Sequence, residues 1–295
     1  MLPVSPLRYT AFLLNSLPRL AAMPCASGGR DAVLDAALCA AEARPGVGLE
    51  FGVYKGRSLR HSACRHPTRQ FHGFDSLNGF PKDGRQDWHL DFSLTATPLL
   101  PRNCRFHAGW FSDTVPPFSA ALDEPVALIN LDCDIYSSAS TVLSALRKHL
   151  KPGLVLHLDE ALNYDTWLWN EMLALFQMLE ETGLGLDWLP RGGEVRDLPQ
   201  TLRFLEAGRY PTWSDDVAAG FARQVACVLT PRNTDLADLE DPARRPVLED
   251  HARRLADRHA AYLAGTQVRQ DCNPHDPWKA PPLARPSWRR WLRLG

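Results

Sequence analysis

Short apolar segments alternate with helical patterns between residues 30 and 151, and this alternation constrains the fold more than any other feature. The segments VGLEFGV (47–53), VALINLD (126–132) and LVLHLDE (154–160) are almost continuously apolar, and amphipathic stretches separate them. Strands that are apolar on both faces need helices on both sides, so the pattern predicts an α/β fold with a mostly parallel sheet. The later run VACVLTP (225–231) is expected to add an antiparallel strand.

The composition excludes some classes of function. The chain has 295 residues, of which 45% are hydrophobic, and this is enough for one large core with an appendage. A formal net charge of −1 gives no electrostatic reason to expect a nucleic-acid partner. No apolar stretch reaches about 18 residues, so no transmembrane segment is expected.

The ends of the chain and its cysteines indicate a cytoplasmic protein with appended segments. Prolines and Asn15 interrupt the apolar run near the N-terminus, which is unlike an export signal. The seven cysteines never form a CxxC pair, which favours free buried thiols in a reducing compartment. The pattern divides the chain into an N-terminal helical or lid segment (1–30), an α/β domain (31–232) and a helical, proline-rich extension (233–295).

The first strand ends in the pattern E-x-G-x-x-x-G, formed by Glu50, Gly52 and Gly56. Open parallel sheets bind nucleotides at the carboxyl ends of their strands, and glycines let a ligand approach the backbone. Asp75 ends the next strand, where a carboxylate accepts hydrogen bonds from ribose hydroxyls. A buried Glu50 favours a ligand with a cationic amino group, and S-adenosylmethionine carries both groups. The alternative is a tight strand-to-helix turn without a ligand.

Two further predicted strands end in acids: Asp132 and Asp134 follow one, and Asp159 and Glu160 follow the other. A single helix separates these strands in the chain, so we expect parallel neighbours about 4.8 Å apart with their acids at one edge. Oxygen ligands without cysteine or paired histidine suit Mg²⁺ or another hard cation. The alternative is that the acids cap the helices that follow them.

Together the motifs resemble the macrocin O-methyltransferase family of class I S-adenosylmethionine-dependent methyltransferases. The resemblance runs through LEFGVYKGRSLR, FHGFDSLNGFPKD, AGWFSDTVP, LINLDCDIYSSASTVLSAL and LKPGLVLHLDEALNY, within residues 47–164. It implies a Rossmann-like class I methyltransferase fold with a seven-stranded, mostly parallel sheet, and makes 31–232 the methyltransferase domain. It also implies methyl transfer to a hydroxyl of a sugar or small natural product, with Mg²⁺ as a second cofactor.

The resemblance also assigns roles to individual residues. The cofactor-binding positions are Glu50, Gly52, Tyr54, Ser58, Asp75, Ser76, Gly109, Trp110, Phe111 and Asp132. Within this set, residues 50–54 would line the methionine end, Asp75 and Ser76 the ribose, and residues 109–111 the adenine. The metal ligands would be Asp132, Asp159 and Glu160. An aspartate is more usual in the family at the last position, so this chain departs from the pattern by one methylene.

Two residues are candidates for the base that takes the proton of the acceptor hydroxyl. Asp134 lies two residues beyond the first proposed metal ligand, and His157 lies two residues before the second. For Asp134 the alternatives are a helix cap or a group that supports a metal ligand from behind, and for His157 the alternative is a core position.

Three tryptophans and one long loop are expected near the carboxyl ends of the strands. Trp88, Trp167 and Trp169 are candidates for stacking on a sugar, with a core position as the alternative. The long loop at residues 84–98 is a candidate lid.

Two rival functions stay open at this point. A nicotinamide-dependent oxidoreductase uses the same kind of sheet, but it needs a G-x-G-x-x-G turn and a relay such as Tyr-x-x-x-Lys, and neither appears. A non-catalytic module that binds the cofactor is the second rival. The expected partner is a small-molecule acceptor, with a sugar as one option, and the sequence leaves a homo-oligomer open.

Overall fold

The computed structural model describes residues 2–81, 92–232 and 241–265. Seven strands of this part of the chain form one sheet: β1 (Val47–Phe51), β2 (Phe71–Asp75), β3 (Cys104–Ala108), β4 (Val126–Leu131), β5 (Val155–Leu158), β6 (Gly185–Trp188) and β7 (Val225–Thr230). Trp88, the first part of the predicted lid and most of the predicted C-terminal extension lie outside the described residues.

The strand order is β3-β2-β1-β4-β5-β7-β6. Strands β1 to β5 pair in parallel, whereas β7 runs antiparallel to both of its neighbours, β5 and β6. This topology confirms the predicted Rossmann-like class I methyltransferase fold, including the antiparallel strand at VACVLTP. The sequence pattern did not predict β6, because its four residues, GLDW, include a glycine and an exposed aspartate.

Nine α-helices are present in the described ranges: α1 (Pro6–Ala21), α2 (Ala32–Ala41), α3 (Arg57–Arg65), α4 (Phe111–Ala121), α5 (Tyr136–Ala145), α6 (Glu171–Thr182), α7 (Leu198–Glu206), α8 (Trp213–Ala218) and α9 (Arg245–Leu263). Helix α1 begins with a sequence that is typical of a helix N-terminus. The Ser5 hydroxyl accepts a hydrogen bond from the backbone N–H of Arg8, and Pro6 follows the cap.

The sheet separates two apolar cores because successive side chains of a strand point to opposite faces. Helices α2 and α3 cover one face: α2 packs on β4, β5 and β7, which carry Leu128, Val155 and Ala226, and α3 packs on β2. The larger core on the other face holds the buried side chains of α1, α5 and α6. Strands β1, β4 and β5 are buried along their whole length, which explains their almost continuous apolar sequences.

Helix α1 is part of the larger core. Tyr9, Phe12 and Leu13 are fully buried, and the Tyr9 hydroxyl donates a hydrogen bond to the Leu168 carbonyl at 3.0 Å. Helix α9 packs against α1 and α7. Helix α1 covers residues 6–21 of the predicted N-terminal segment, while that segment, its lid role and the domain boundaries at 30 and 232 stay predictions.

The cysteines and the helices bear on two simpler expectations. The six cysteines in the described ranges are all free thiols. Cys133 and Cys227 are buried as predicted, but the prediction of burial is wrong for Cys25, Cys39 and Cys64, which are exposed. Among the helices described, none is both long enough and apolar enough to cross a membrane.

Candidate active site

Five loops leave the carboxyl ends of the parallel strands, and four of them contain one strained residue other than glycine. Tyr54 after β1, Leu77 after β2, Asp134 after β4 and Asn163 after β5 have φ angles of 45°, 60°, 61° and 62°. Residues other than glycine rarely adopt this left-handed region, and such strain clusters at functional sites. The strained backbone therefore marks this edge of the sheet as the candidate site.

The glycine loop after β1 is pressed against the end of β4. Gly52 has a φ of +91°, and a Cβ at this position would lie 1.7 Å from the backbone oxygen of Asp132. No side chain fits there, so the close approach of the two loops requires glycine. The predicted E-x-G pattern thus reflects a steric demand of the packing between the loops after β1 and β4.

Asp75 stands at the end of β2 with its carboxylate already oriented. One oxygen accepts the backbone N–H of Tyr54 at 2.7 Å, and the other accepts that of Leu77 at 2.8 Å. Each carboxylate oxygen keeps a second acceptor site. The neighbouring Ser76 is engaged locally, since its hydroxyl donates to the Gly79 carbonyl at 2.9 Å. The two bonds to Asp75 join the loops after β1 and β2.

Glu50 lies inside the sheet, with a side chain only 1% exposed. Its carboxylate accepts hydrogen bonds from the Ser58 hydroxyl at 2.9 Å and from the Asn130 amide at 2.9 Å. Burial raises the pKa of Glu50 to about 7, although both hydrogen bonds oppose the rise. Both of these partners are neutral, so the buried carboxylate suits a ligand that supplies a cation.

His157 belongs to the same polar row, which crosses the sheet through residues that the strand register places side by side. Glu50 pairs with Asn130 across β1 and β4, and Asn130 pairs with His157 across β4 and β5. The His157 Nδ1 lies 2.6 Å from the Asn130 side-chain oxygen, and burial lowers the pKa of the ring to about 4. We call Glu50, Asn130 and His157 the polar row. The role of His157 as a base stays a prediction, and its position is that of the core alternative.

The four predicted acids follow β4 and β5, which pair in parallel as expected. Asp132 and Asp159 both come directly after the strands, and all four side chains are partly buried. Burial, reinforced by the charges of Asp159 and Asp134, raises the pKa of Asp132 well above its usual range. Burial together with Glu160 and Asp159 does the same to the pKa of Asp134. The acids are therefore close enough to repel one another.

Two partners of these acids precede β7 and were not predicted. Arg223 donates to the Glu160 carboxylate at 3.0 Å, and Gln224 donates to the Asp159 carboxylate. Burial still raises the pKa of Glu160 to about 7, with Arg223 opposing the rise. Within residues 2–81, 92–232 and 241–265, no three His, Cys, Asp or Glu side chains are grouped as the ligands of one metal ion.

The first residue of α6, Glu171, is a further acid that sequence reasoning missed. Its side chain is fully buried, and its carboxylate accepts the backbone N–H groups of Cys133, Asp134 and Glu160 at 3.2, 3.1 and 3.2 Å. The only sequence signal is Asn-Glu at the start of a helical pattern, which also describes many ordinary helix ends.

The predicted adenine-binding segment follows β3. Gly109 has a φ of +137° and donates its N–H to the Asp75 carbonyl at 2.9 Å, so it lies beside the loop after β2. Trp110 is the N-cap of α4 and is partly buried. Phe111 meets the Phe51 ring edge-on, with 5.7 Å between the ring centroids. The structure thus brings Gly109 and Trp110 to the mouth and turns Phe111 toward the core.

The candidate sugar-stacking residues have different positions. Trp167 and Trp169 are each 1% exposed, which is the core alternative. Trp169 packs against His259 of α9, with ring centroids 5.0 Å apart. In the described part of the predicted lid, the Leu94 N–H donates to the Leu77 carbonyl at 2.9 Å. This end of the lid therefore lies beside the loop after β2.

Sequence comparison finds one match in the middle of the chain. Residues 49–161 match a methyltransferase domain. The match runs from within β1 to the loop after β5, and it includes the polar row and the four acids that follow β4 and β5. The narrower resemblance to macrocin O-methyltransferases stays a prediction.

Individual relatives are similar to parts of the chain. The chain is 30% identical over 145 residues to the 8-demethyl-8-(2,3-dimethoxy-alpha-L-rhamnosyl)-tetracenomycin-C 4'-O-methyltransferase of Streptomyces olivaceus, covering 41% of this chain and 54% of the relative. The chain thus spans about half the length of this curated relative. Among solved structures, the calicheamicin methyltransferase CalS11 is 25% identical with a TM-score of 0.42, covering 54% of this chain and 72% of that one. The O-methyltransferase NovP is 16% identical with a TM-score of 0.45, covering 77% and 98%.

Proposed function

We propose that this protein is an S-adenosylmethionine-dependent O-methyltransferase that acts on a hydroxyl of a sugar or small natural product, assisted by Mg²⁺. The observation that carries the proposal is that one glycine brings two sets of acids together. The first set is Glu50 and Asp75, and the second is Asp132, Asp159 and Glu160. Gly52, in the loop after β1, packs directly against the backbone of Asp132. A donor and an acceptor of a group need such adjacent sites.

The first set suits the chemical groups of S-adenosylmethionine. Its ammonium matches the buried carboxylate of Glu50, and its ribose hydroxyls match the oriented carboxylate of Asp75. Ser58 holds Glu50, while Tyr54 holds Asp75 through its backbone N–H. The bound sulfonium supplies an electrophilic methyl group for an in-line displacement.

The second set fits Mg²⁺ by the chemistry of its donors. Asp132, Asp159 and Glu160 offer only carboxylate oxygens, which hard cations prefer, and their mutual repulsion is relieved by a cation. Arg223 and Gln224 hold two of these acids in the described structure, so the ion has to replace the Arg223 contact at Glu160. When bound, the ion supplies a positive charge that orients and acidifies a hydroxyl.

The residue that we propose as the base is Asp134. It lies between the first predicted ligand and α5, in a strained backbone conformation that the Glu171 carboxylate holds in place. Asp134 would accept the hydroxyl proton as the oxygen bonds to the methyl carbon and the methyl–sulfur bond breaks, with S-adenosylhomocysteine as the leaving group. His157 is the weaker candidate, because its Nδ1 faces Asn130 and its Nε2 is buried.

The acceptor class is proposed from the relative. The Streptomyces olivaceus protein is named for methylation at the 4' position of a rhamnosyl compound, which supports a sugar hydroxyl as the acceptor. The same reasoning favours a free small molecule as the partner.

The proposal is tested by methyl transfer from labelled S-adenosylmethionine to a panel of sugar-bearing natural products. We expect label in the product, loss of transfer in EDTA and recovery with Mg²⁺, while calorimetry shows unchanged cofactor binding. Asp134→Asn should lower kcat at least about 100-fold with the cofactor affinity retained. Full activity in EDTA would remove the metal from the proposal, and a wild-type protein that binds no S-adenosylmethionine would remove the whole function.

A further inference from the structure

The two loops that carry the predicted catalytic and metal-binding acids are held by one carboxylate. We define the acid loops as residues 132–135, after β4, and residues 159–162, after β5. One oxygen of Glu171 accepts from Cys133 and Asp134 of the first acid loop, and the other oxygen accepts from Glu160 of the second. Since each oxygen serves a different loop, a shift of one loop against the other breaks hydrogen bonds.

We propose that Glu171 is a positioning residue that sets the placement of the two acid loops, and therefore of Asp134 relative to the metal-binding acids. This inference rests on the proposed function, because the relative placement of these acids matters only where they act together on one acceptor. Glu171 itself has both oxygens engaged with the backbone, so it is not proposed as a ligand or a base.

Helix packing alone does not account for an acid at this position. Glu171 is fully buried, and burial together with the charges of Asp134 and Asp159 raises the pKa of its carboxyl well above the usual range. A buried acid beside other acids opposes folding unless hydrogen bonds compensate for it. Among the described residues, the hydrogen bonds to the Glu171 carboxylate come from backbone N–H groups of the acid loops.

The chemistry of the three bonds favours a carboxylate over an amide. Three backbone N–H groups approach two oxygens, and a glutamine offers one oxygen and one NH₂ group. With a glutamine at this position, the backbone N–H groups of one acid loop would face the NH₂ donor instead of an oxygen acceptor. The amides of that loop would then lose their protection from hydrogen exchange. The preceding residue acts similarly, since the Asn170 side-chain oxygen accepts the N–H of Tyr136 at 3.2 Å. The start of α6 thus holds the backbone of the first acid loop and of α5.

The test compares Glu171→Gln with Glu181→Gln, which makes the same chemical change at a half-exposed position near the other end of α6. Hydrogen–deuterium exchange of the full chain with S-adenosylhomocysteine is followed in peptides covering residues 131–137 and 157–163. Mn²⁺ binding is measured on the same samples by electron paramagnetic resonance. We expect Glu171→Gln to speed exchange of the acid-loop amides and to weaken Mn²⁺ binding by about tenfold each, with S-adenosylhomocysteine affinity within about twofold of the wild type.

A second variant covers the case in which Glu171→Gln does not fold. Glu171→Asp keeps the carboxylate but shortens the side chain by one methylene. We therefore expect the amides of only one acid loop to lose their protection from hydrogen exchange in this variant. Unchanged exchange in both loops in either folded variant overturns the proposal. Faster exchange throughout the chain, with loss of S-adenosylhomocysteine binding, overturns it too, because Glu171 would then hold the whole fold. A wild type that fails to bind S-adenosylhomocysteine refutes the proposed function instead, and exchange in the ligand-free proteins still tests Glu171.

Discussion

Replacing Glu50 by glutamine is expected to stabilise the ligand-free protein at high pH and to weaken cofactor binding. Glu50 is 1% exposed, and burial raises the pKa of its carboxyl from an ordinary 4.5 to about 7. Glutamine has nearly the same shape, still accepts from the Asn130 amide and can donate to the Ser58 hydroxyl oxygen. The substitution therefore removes a buried ionisation while both hydrogen bonds persist.

The sign of the pH dependence follows from the raised pKa. Between pH 4.5 and about 7 the folded wild type keeps a proton that the unfolded chain has released, so its free energy of unfolding falls as pH rises. Above pH 7 the loss is complete and amounts to about 3 kcal/mol. Glu50→Gln is free of this loss. We expect it to exceed the wild type in stability by about 3 kcal/mol at pH 8 and by less than about 1 kcal/mol at pH 5.

The assay is urea denaturation without ligand at both pH values, with calorimetry of S-adenosylmethionine binding at pH 8. Loss of the charged partner of the ammonium should weaken binding about 10- to 100-fold, from about 1.5–3 kcal/mol for a charged hydrogen bond. Glu249→Gln, at an exposed i,i+4 pair with Arg245, is the matched control and should change stability by less than about 0.5 kcal/mol at either pH. A stability difference between Glu50→Gln and wild type that is equal at pH 5 and pH 8 would refute the reasoning.

Two further substitutions test other parts of the mouth. Asp75→Asn removes the negative charge of the carboxylate that we propose as the acceptor for the ribose hydroxyls. It should weaken S-adenosylmethionine binding at least about tenfold in calorimetry. Melting curves serve as the control, because the Asp75 side chain also accepts hydrogen bonds from Tyr54 and Leu77. An unchanged affinity would remove the ribose assignment. Gly52→Ala places a Cβ 1.7 Å from the Asp132 backbone oxygen, so it should lower the free energy of unfolding by more than about 2 kcal/mol in denaturation. Gly29→Ala is the control, because a Cβ at Gly29 meets open space and should not destabilise the protein in this way. Near-equal stability of these two alanine variants would contradict the steric argument.

Much of the fold was predictable because it depends on local patterns. Strands β1, β4 and β5 are buried on both faces, so their apolar runs stand out from the helical stretches between them. The parallel order of these strands follows from the helices that separate them in the chain. Strand β6 escaped prediction because a short strand at the sheet edge carries little periodicity, and pairing with β7 is what makes it a strand.

Part of the candidate site was likewise predictable from the sequence and part was not, for a physical reason. The sequence by itself determined which acids follow the parallel strands, since the end of a strand and the residue after it are neighbours in the chain. Only the tertiary structure decided which groups face those acids. Glu171 reaches Asp134 across 37 positions, and Asn130 reaches Glu50 across 80. Such contacts arise from strand register and helix packing, which join distant parts of the chain and leave no periodic signal in it.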